Sequence, residues 1–202
     1  MAVITISKEF ASGAVELAQE LGRLLGCQVV GKAALVQLAQ RLEMSPAEAE
    51  LLARGQGAHW FRLVDEVLLH TVRRIEQRPE AALDDQRYFA AVKQLLDDLA
   101  QAGDVIILGW GGQYLLAEHP GAHHFRVVAP LAQRGQRLAA RQRISLEQAQ
   151  AECRRQDEIS RAYVHHYLRR PWDDAHAYKL VLNLGALDFS LAKGCQILRA
   201  AM

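Results

Sequence analysis

The first 26 residues constrain the fold most, because they form a pattern of strand, small-residue loop and helix. Residues 3–6 are a short β-branched apolar run, and residues 7–14 follow with the sequence SKEFASGA. Apolar residues then recur at helical spacing from Val15 until Gly26. A buried strand that enters a helix through such a loop presents unpaired backbone N–H groups and the positive end of the helix dipole to an anion. The segment therefore predicts a phosphate-binding turn.

The loop lacks the catalytic side chains of the usual phosphate-binding motif. A P-loop reads G-x-x-x-x-G-K-[ST]. In this register Lys8 stands at the first glycine, and Gly13 matches the second. Ala14 replaces the lysine of the motif, and Val15 replaces its hydroxyl residue. The backbone part of the motif is thus kept, whereas two catalytic side chains are missing.

The composition is that of an ordinary globular protein and excludes several classes of function. The chain has 202 residues, of which 50% are hydrophobic and 23% charged, with a net charge of +1. This balance, with 6% aromatic residues, gives no argument for nucleic acid as a partner. No apolar stretch approaches the roughly 20 residues that span a bilayer. We expect a cytoplasmic protein without a membrane partner, because the three cysteines are far apart and no signal peptide is present. For the same reason, no metal site is predicted.

Strand and helix patterns alternate at both ends of the chain. Four further strands are predicted, at residues 27–30, 105–108, 124–128 and 180–183. Helices are predicted at residues 131–143, 145–168 and 188–201, and residues 32–101 are mostly helical in pattern. The second of these helices begins with a capping box formed by Ser145 and Gln148. The order predicts an α/β protein with a parallel sheet that is covered on both faces.

Five stretches of the chain together resemble the cytidylate kinase-like proteins, a branch of the nucleoside monophosphate kinases. They occur in the family's order and span nearly the whole chain: ITISKEFASG at 4–13, IILGWGG at 106–112, VVAPL at 127–131 with Arg134 and Arg137, the region from Arg161 to Asp174, and YKLVLN at 178–183. The resemblance implies a P-loop NTPase fold with a central parallel sheet and helices on both faces. It implies a core of residues 1–31, 102–140 and 176–202, a helical nucleoside monophosphate-binding insert at 32–101, and a helical lid at 141–175. It also implies transfer of the γ-phosphate of ATP to CMP, dCMP or a related small acceptor, with Mg²⁺.

The resemblance implies roles for two sets of residues. The nucleotide-binding set contains Ser7, Ala11, Ser12, Gly13, Ala14, Val15, Glu16, Trp110 and Asp157. The catalytic set, which would neutralise phosphate charge, contains Lys8, Arg141, Arg155 and Arg161. Asp157, or Glu158 in its place, would orient the acceptor nucleotide. Ordinary ion pairs on a helix surface would explain the lid residues equally well.

Several of these residues depart from the family pattern. Ala11 and Ala14 replace glycines, and a Cβ there obstructs positive φ and the approach of a phosphate. Glu16 could hold Mg²⁺ but would repel a triphosphate, and it is also a favourable acid in a first helical turn. Trp110 replaces an arginine that would grip the monophosphate, so it could stack on a base or close the site.

Three interpretations remain open at this stage. The chain is an active nucleotide kinase, a phosphotransferase for another small acceptor, or a nucleotide-binding or regulatory module that has kept the fold and lost catalysis. Ser12 is either part of a phosphate cradle or simply the N-cap of the first helix. Arg134 shares a helix face with Arg137 and Arg141, and we interpret Arg134 as facing solvent. Apolar stripes in the insert could support a homodimer.

Overall fold

The structure, a computed structural model, describes residues 1–31 and 81–202. Its strands form a single parallel sheet. They are β1 (Val3–Lys8), β2 (Gln28–Val30), β3 (Val105–Leu108), β4 (Ala122–Val128) and β5 (Leu180–Asn183), in the spatial order β2-β3-β1-β4-β5. All four pairings are parallel, and β1 lies at the centre between β3 and β4. The predicted parallel α/β architecture is confirmed.

The helices of the described residues cover both faces of this sheet. They are α1 (Ala14–Leu25), α2 (Ala81–Ala102), α3 (Gly112–Leu115), α4 (Leu131–Gln142), α5 (Leu146–Leu168) and α6 (Leu191–Ala200), with short 3₁₀ turns at Ala175–Ala177 and Leu184–Leu187. The predicted capping box is present: Ser145 Oγ accepts from the Gln148 N–H, and the Gln148 side chain accepts from the Ser145 N–H. Gly26 ends α1 in the left-handed conformation with φ 70°. None of the helices described here is long and apolar enough to cross a membrane.

The hydrophobic core lies in two layers, one on each face of the sheet. Ile4 and Ile6 of β1 pack with α1 and α6, whereas Val3 packs with α2 on the other face. Side chains alternate between the two faces along a strand, so Ser7 lies on the same face as Val3. Arg126 of β4 pairs with Ser7 in the parallel register and lies on that face too.

The structure describes the last part of the predicted insert and the whole of the predicted lid. Most of the insert at 32–101, with the apolar stripes that could support a dimer, lies outside the described residues, and its last part belongs to α2. The lid at 141–175 contains α5, which packs against α4 around Leu138 and Cys153. Phe10 and Ala11 of the first loop join the same cluster. The lid helix therefore packs on the predicted phosphate loop itself.

Candidate functional site

The loop between β1 and α1 ends at Gly13, which is the N-cap of α1 with φ 82°. A Cβ at this position would lie 2.9 Å from Leu184 Cδ2 and 3.3 Å from Phe189 Cδ1, so only glycine fits. The alternative in which Ser12 caps the helix is wrong, because the cap is one residue later and receives no side-chain hydrogen bond. The Ser12 side chain is instead buried, with 1% of the residue exposed, and its Oγ has no hydrogen-bond partner in the described structure.

The first turn of α1 keeps its backbone donors available. Within the described ranges, no hydrogen bond uses the N–H groups of residues 13–16, and the first one in this turn runs from Leu17 N to Gly13 O at 3.0 Å. Such groups at a helix start have no partner inside the helix and attract anions. The buried Ser12 hydroxyl lies next to them in the chain. The loop thus offers the backbone donors that a phosphate cradle requires.

Ala11 and Ala14 behave differently from each other. Ala11 adopts φ 60° in spite of its Cβ, a left-handed conformation that costs a residue with a side chain about 1–2 kcal/mol. The Cβ of Ala11 therefore makes positive φ costly, as expected, but does not prevent it. Ala14 is the first residue of α1 and is buried, so its position requires no glycine.

A buried ion network holds the loop against α4 and α5. Arg134 is only 5% exposed, and its Nη1 donates to Asp157 Oδ2 at 2.8 Å and to Phe10 O at 3.0 Å. Its Nε donates to Ala129 O at 2.8 Å and lies 3.4 Å from Glu9 Oε2. The interpretation of Arg134 as solvent-facing is wrong, because this end of the helix face turns onto the loop. The spacing of the arginines identified a common face but not what covers it.

Asp157 completes this network from the lid helix. Its Oδ1 accepts a hydrogen bond from the Phe10 N–H at 2.7 Å, and its Oδ2 accepts one from Arg134. Both carboxylate oxygens therefore have a partner within the network. The role of Asp157 in orienting an acceptor stays a prediction. Glu158, the alternative for that role, is exposed and pairs with Arg161 at 2.8 Å. The contacts seen here make Asp157 a positioning residue for the loop.

Glu16 lies between two arginines at the amino end of α1. Its Oε1 is 3.0 Å from Arg141 Nη1 and 3.7 Å from Arg137 Nη2. The Arg137 guanidinium also stacks over the Phe189 ring at 4.1 Å. These side chains are more than a third exposed, so the pairs contribute little to stability. The pairs matter for ligand binding, because a phosphate at the amino end of α1 would contact arginines that are already paired with the Glu16 carboxylate.

Trp110 lies in the turn after β3 with φ 55°, an outlier for a bulky residue. The indole packs against the α2 side of the core and against the cluster of Tyr163, Val164 and Trp172. A Cβ on the next residue, Gly111, would collide with the Leu168 side chain, so the turn lies directly against the end of α5. Both roles considered for Trp110, stacking on a base and closing the site, stay predictions.

The remaining predicted residues are dispersed. Lys8 ends β1 and pairs in register with Val127. Arg155 holds Glu152 with its Nε and Nη2 atoms, each at 2.8 Å from a carboxylate oxygen. Arg161 contacts Asp173 at 3.5 Å and lies 5.6 Å from the Trp172 ring. The structure therefore brings Arg141 and Glu16 to the loop and leaves Arg155 on the flank of α5.

Sequence reasoning missed Arg126, an arginine between the apolar residues Phe125 and Val127 of β4. It is only 4% exposed, and its Nη1 donates to Ser7 Oγ and to Trp172 O, both at 3.1 Å. Its guanidinium carbon lies 4.1 Å from the centre of the Trp172 ring. A charged residue between two apolar neighbours of a predicted strand was the available signal.

The described residues fit Mg²⁺ poorly. They contain no group of three or more His, Cys, Asp or Glu side chains that could hold a metal ion. At the loop itself, Val15 supplies no hydroxyl and the Glu16 carboxylate is paired with arginine.

Comparison with known proteins assigns the chain to a family. A profile described as "Cytidylate kinase-like family" matches residues 3–186. The chain belongs to the cytidylate kinase-like family. Membership implies a nucleotide kinase-like protein, in agreement with the five motifs that resemble those of the family. No curated protein sequence matches the chain.

Solved structures agree on the fold. An uncharacterized protein from Eubacterium ventriosum is similar with a TM-score of 0.68 and 15% identity, over 99% of this chain and 97% of that one. TT1252 from Thermus thermophilus has a TM-score of 0.51 and 20% identity, over 100% and 97%. Shikimate kinase from Bacteroides thetaiotaomicron has a TM-score of 0.52 and 10% identity, over 98% and 96%. At such identities the likeness shows the fold alone, and that fold is the P-loop kinase fold predicted from the sequence.

Proposed function

We propose that this chain binds a nucleoside phosphate at the amino end of α1 and that its phosphoryl transfer is lost or strongly slowed. Binding is supported by the backbone donors of residues 13–16 and by the buried Ser12 hydroxyl. Arg137 and Arg141 add positive charge at the same helix end. The reducing cytoplasm is the proposed setting, supported by three free and buried cysteines.

The loss of transfer rests on one observation, the position of Glu16 between Arg137 and Arg141. Phosphoryl transfer depends on positive groups that stabilise the charge spreading over the transferred phosphate. Here the Glu16 carboxylate is paired with both arginines at the amino end of α1 and cancels part of their positive charge, and it repels a triphosphate. The lysine and the hydroxyl of the P-loop motif, which would compensate, are Ala14 and Val15.

The test combines calorimetric titration with an assay of ADP release. The ligands are ATP, ADP and CMP, each with and without Mg²⁺. We expect ATP or ADP to bind and to raise the melting temperature, since a ligand at 100 times its dissociation constant stabilises the folded state by about 2.7 kcal/mol. ADP release should stay at background. Absence of binding for every ligand contradicts the proposal.

Glu16→Gln isolates the role of the carboxylate. Removing the negative charge frees both arginines for the ligand, so ATP affinity should rise about tenfold, as expected for one additional charge-assisted hydrogen bond to a phosphate oxygen. Glu20→Gln is the matched control, because Glu20 lies one turn further along α1 and pairs with Arg23 at 2.7 Å. If the two variants bind ATP equally, Glu16 is not the determinant.

The second candidate is ATP-dependent transfer to CMP or dCMP. The convergence of Arg137 and Arg141 on the amino end of α1 favours it, because guanidinium groups at this place can stabilise transition-state charge. In that case ADP release requires CMP, and Arg141→Met lowers turnover far more than it lowers the melting temperature. Equal loss of both would indicate a structural role for Arg141.

A further inference from the structure

Arg126 carries a buried positive charge without an ionic partner. It lies in β4 beside Ser7, on the face of the sheet opposite α1, and only 4% of it is exposed. In the described structure it forms no ion pair, and its hydrogen bonds go to a hydroxyl and a carbonyl oxygen through Nη1 alone. A buried charge is strongly unfavourable unless an opposite charge compensates it. The Trp172 and Tyr178 rings compensate part of this cost, and an anion on the guanidinium would compensate the rest.

The unused atoms of Arg126 form one complete edge of the guanidinium group. Nε and Nη2 have no hydrogen-bond partner in the described ranges. Two other arginines of the same chain show what this edge does. Arg23 holds both oxygens of Glu20 with Nε and Nη2, at 3.1 Å and 2.7 Å, and Arg155 holds Glu152 in the same way. The edge matches two oxygens of one oxyanion.

Ser7 selects among oxyanions. Its Oγ accepts from Arg126, and its own hydrogen donates to no atom in the described part of the chain. A hydroxyl donates one hydrogen and accepts at its lone pairs, so Ser7 can donate to a further ligand oxygen. A carboxylate has two oxygens, which the guanidinium edge would use, whereas a phosphate group has a third.

We propose that Arg126 and Ser7 form a phosphate-binding site on the α2 face of the sheet, with the Nε/Nη2 edge of Arg126 as its principal contact. The ligand is a phosphate group, carried either as free phosphate or as a phosphomonoester. The residues that cover the guanidinium come from the connection after α5: the Trp172 ring and carbonyl, and the Tyr178 ring at 5.8 Å. The site is distinct from the amino end of α1, and the proposal does not depend on nucleotide binding there.

The test follows the arginine Nε–H signals in ¹H–¹⁵N NMR spectra of the full chain. The probes are inorganic phosphate, CMP and acetate. The Arg126 signal is identified as the one that disappears in Arg126→Lys. Trp172→Leu provides a second identification, because the guanidinium stacks on the indole and its signal is shifted by the ring.

We expect phosphate or CMP to shift the Arg126 signal in a saturable way at about 1 mM, while acetate does so at least tenfold more weakly. The tighter of the first two ligands identifies the source of the phosphate group. Arg126→Lys, which keeps the charge but not the edge, should weaken binding at this site by about tenfold, measured in both proteins from the backbone amide signals of Ser7 and Trp172. Arg23→Lys is the matched control and should leave it unchanged.

Three results would overturn the proposal. They are an Arg126 signal in the wild type that stays fixed at about 10 mM phosphate and CMP, equal affinity in Arg126→Lys, and equal affinity for acetate. If Arg126→Lys fails to fold, the wild-type signal identified through Trp172→Leu decides alone. The Gly13 amide signal reports the α1 site in the same spectra, so failure of one proposal is distinguishable from failure of the other.

Discussion

Replacing Arg134 with methionine should destabilise the protein more than any other arginine substitution discussed here. The side chain is buried and holds three elements together: α4, which carries it, the loop through Phe10 O, and α5 through Asp157. Methionine has similar length and fills much of the space but donates no hydrogen bond. The change therefore removes the hydrogen bonds and leaves the Asp157 carboxylate without its cation.

The magnitude follows from the burial of the partners. Removing one member of a buried ion pair costs about 3–5 kcal/mol, because the other charge is left uncompensated. Asp157 keeps 14% of its side chain exposed and Glu9 keeps 24%, so the lower end of that range, about 3 kcal/mol, applies. In a chain of this length this is a fall in melting temperature of roughly 6–12 °C. Asp157→Asn keeps an acceptor for the Phe10 N–H, and Arg134 keeps Glu9 as an ionic partner, so this change should cost only about 1–2 kcal/mol.

The assay is urea unfolding at pH 7 followed by circular dichroism, with the two single variants and the double variant. The double-mutant cycle should give a coupling energy of about 1–3 kcal/mol between Arg134 and Asp157. Arg155→Met is the control, because the Arg155 side chain is 39% exposed in its pair with Glu152, and the change should move the unfolding midpoint far less than Arg134→Met does. A loss below about 1 kcal/mol for Arg134→Met would refute the claim that this network holds the loop.

Three further predictions concern the backbone, the histidines and the cysteines. Ala11→Gly removes left-handed strain of about 1–2 kcal/mol, whereas the greater entropy of the unfolded chain costs about 0.4–1 kcal/mol of stability. A thermal scan should therefore show a higher melting temperature. A lower melting temperature would contradict strain at Ala11. Burial lowers the pKa of His123 and of His124, so below about pH 6.5 the unfolded state takes up protons that the folded state does not. The free energy of unfolding should therefore fall between about pH 6.5 and pH 5, and His124→Asn should flatten that fall. Burial raises the thiol pKa of all three cysteines, so the free energy of unfolding should fall as the pH rises above about 8.5. Because the three thiols are buried, a thiol reagent should react only after unfolding. Reaction with the native protein would contradict this burial.

Local patterns were sufficient for the architecture. The β-branched run at 3–6, the helical spacing after Val15 and the cap at Ser145 each depend on a few neighbouring residues, and the structure confirms all three. The parallel sheet followed from the order of such elements, because strands joined through helices pair in parallel. The motifs that resemble the family agreed with the profile match over residues 3–186.

The site was less predictable, because its contacts join residues that are distant in sequence. Arg134 is 23 positions from Asp157, and Arg126 is 119 positions from Ser7. Helical spacing tells which side chains share a face, but not which element packs on that face. Burial of Arg134 and isolation of Arg126 therefore became visible only in the structure. The requirement for glycine at position 13, the cap of α1, likewise comes from residues distant in sequence, because Leu184 and Phe189 leave no room for a Cβ there.

Phosphate binding by the backbone amides of residues 13–16 is tested most directly by a titration that follows the signal of each amide. ¹H–¹⁵N NMR spectra of the wild-type chain would be recorded while ATP is added to about 10 mM. The account predicts saturable shifts at the amides of residues 13–16 together with unchanged ATP. Amides that do not move over this range, with shifts elsewhere or none at all, would contradict it.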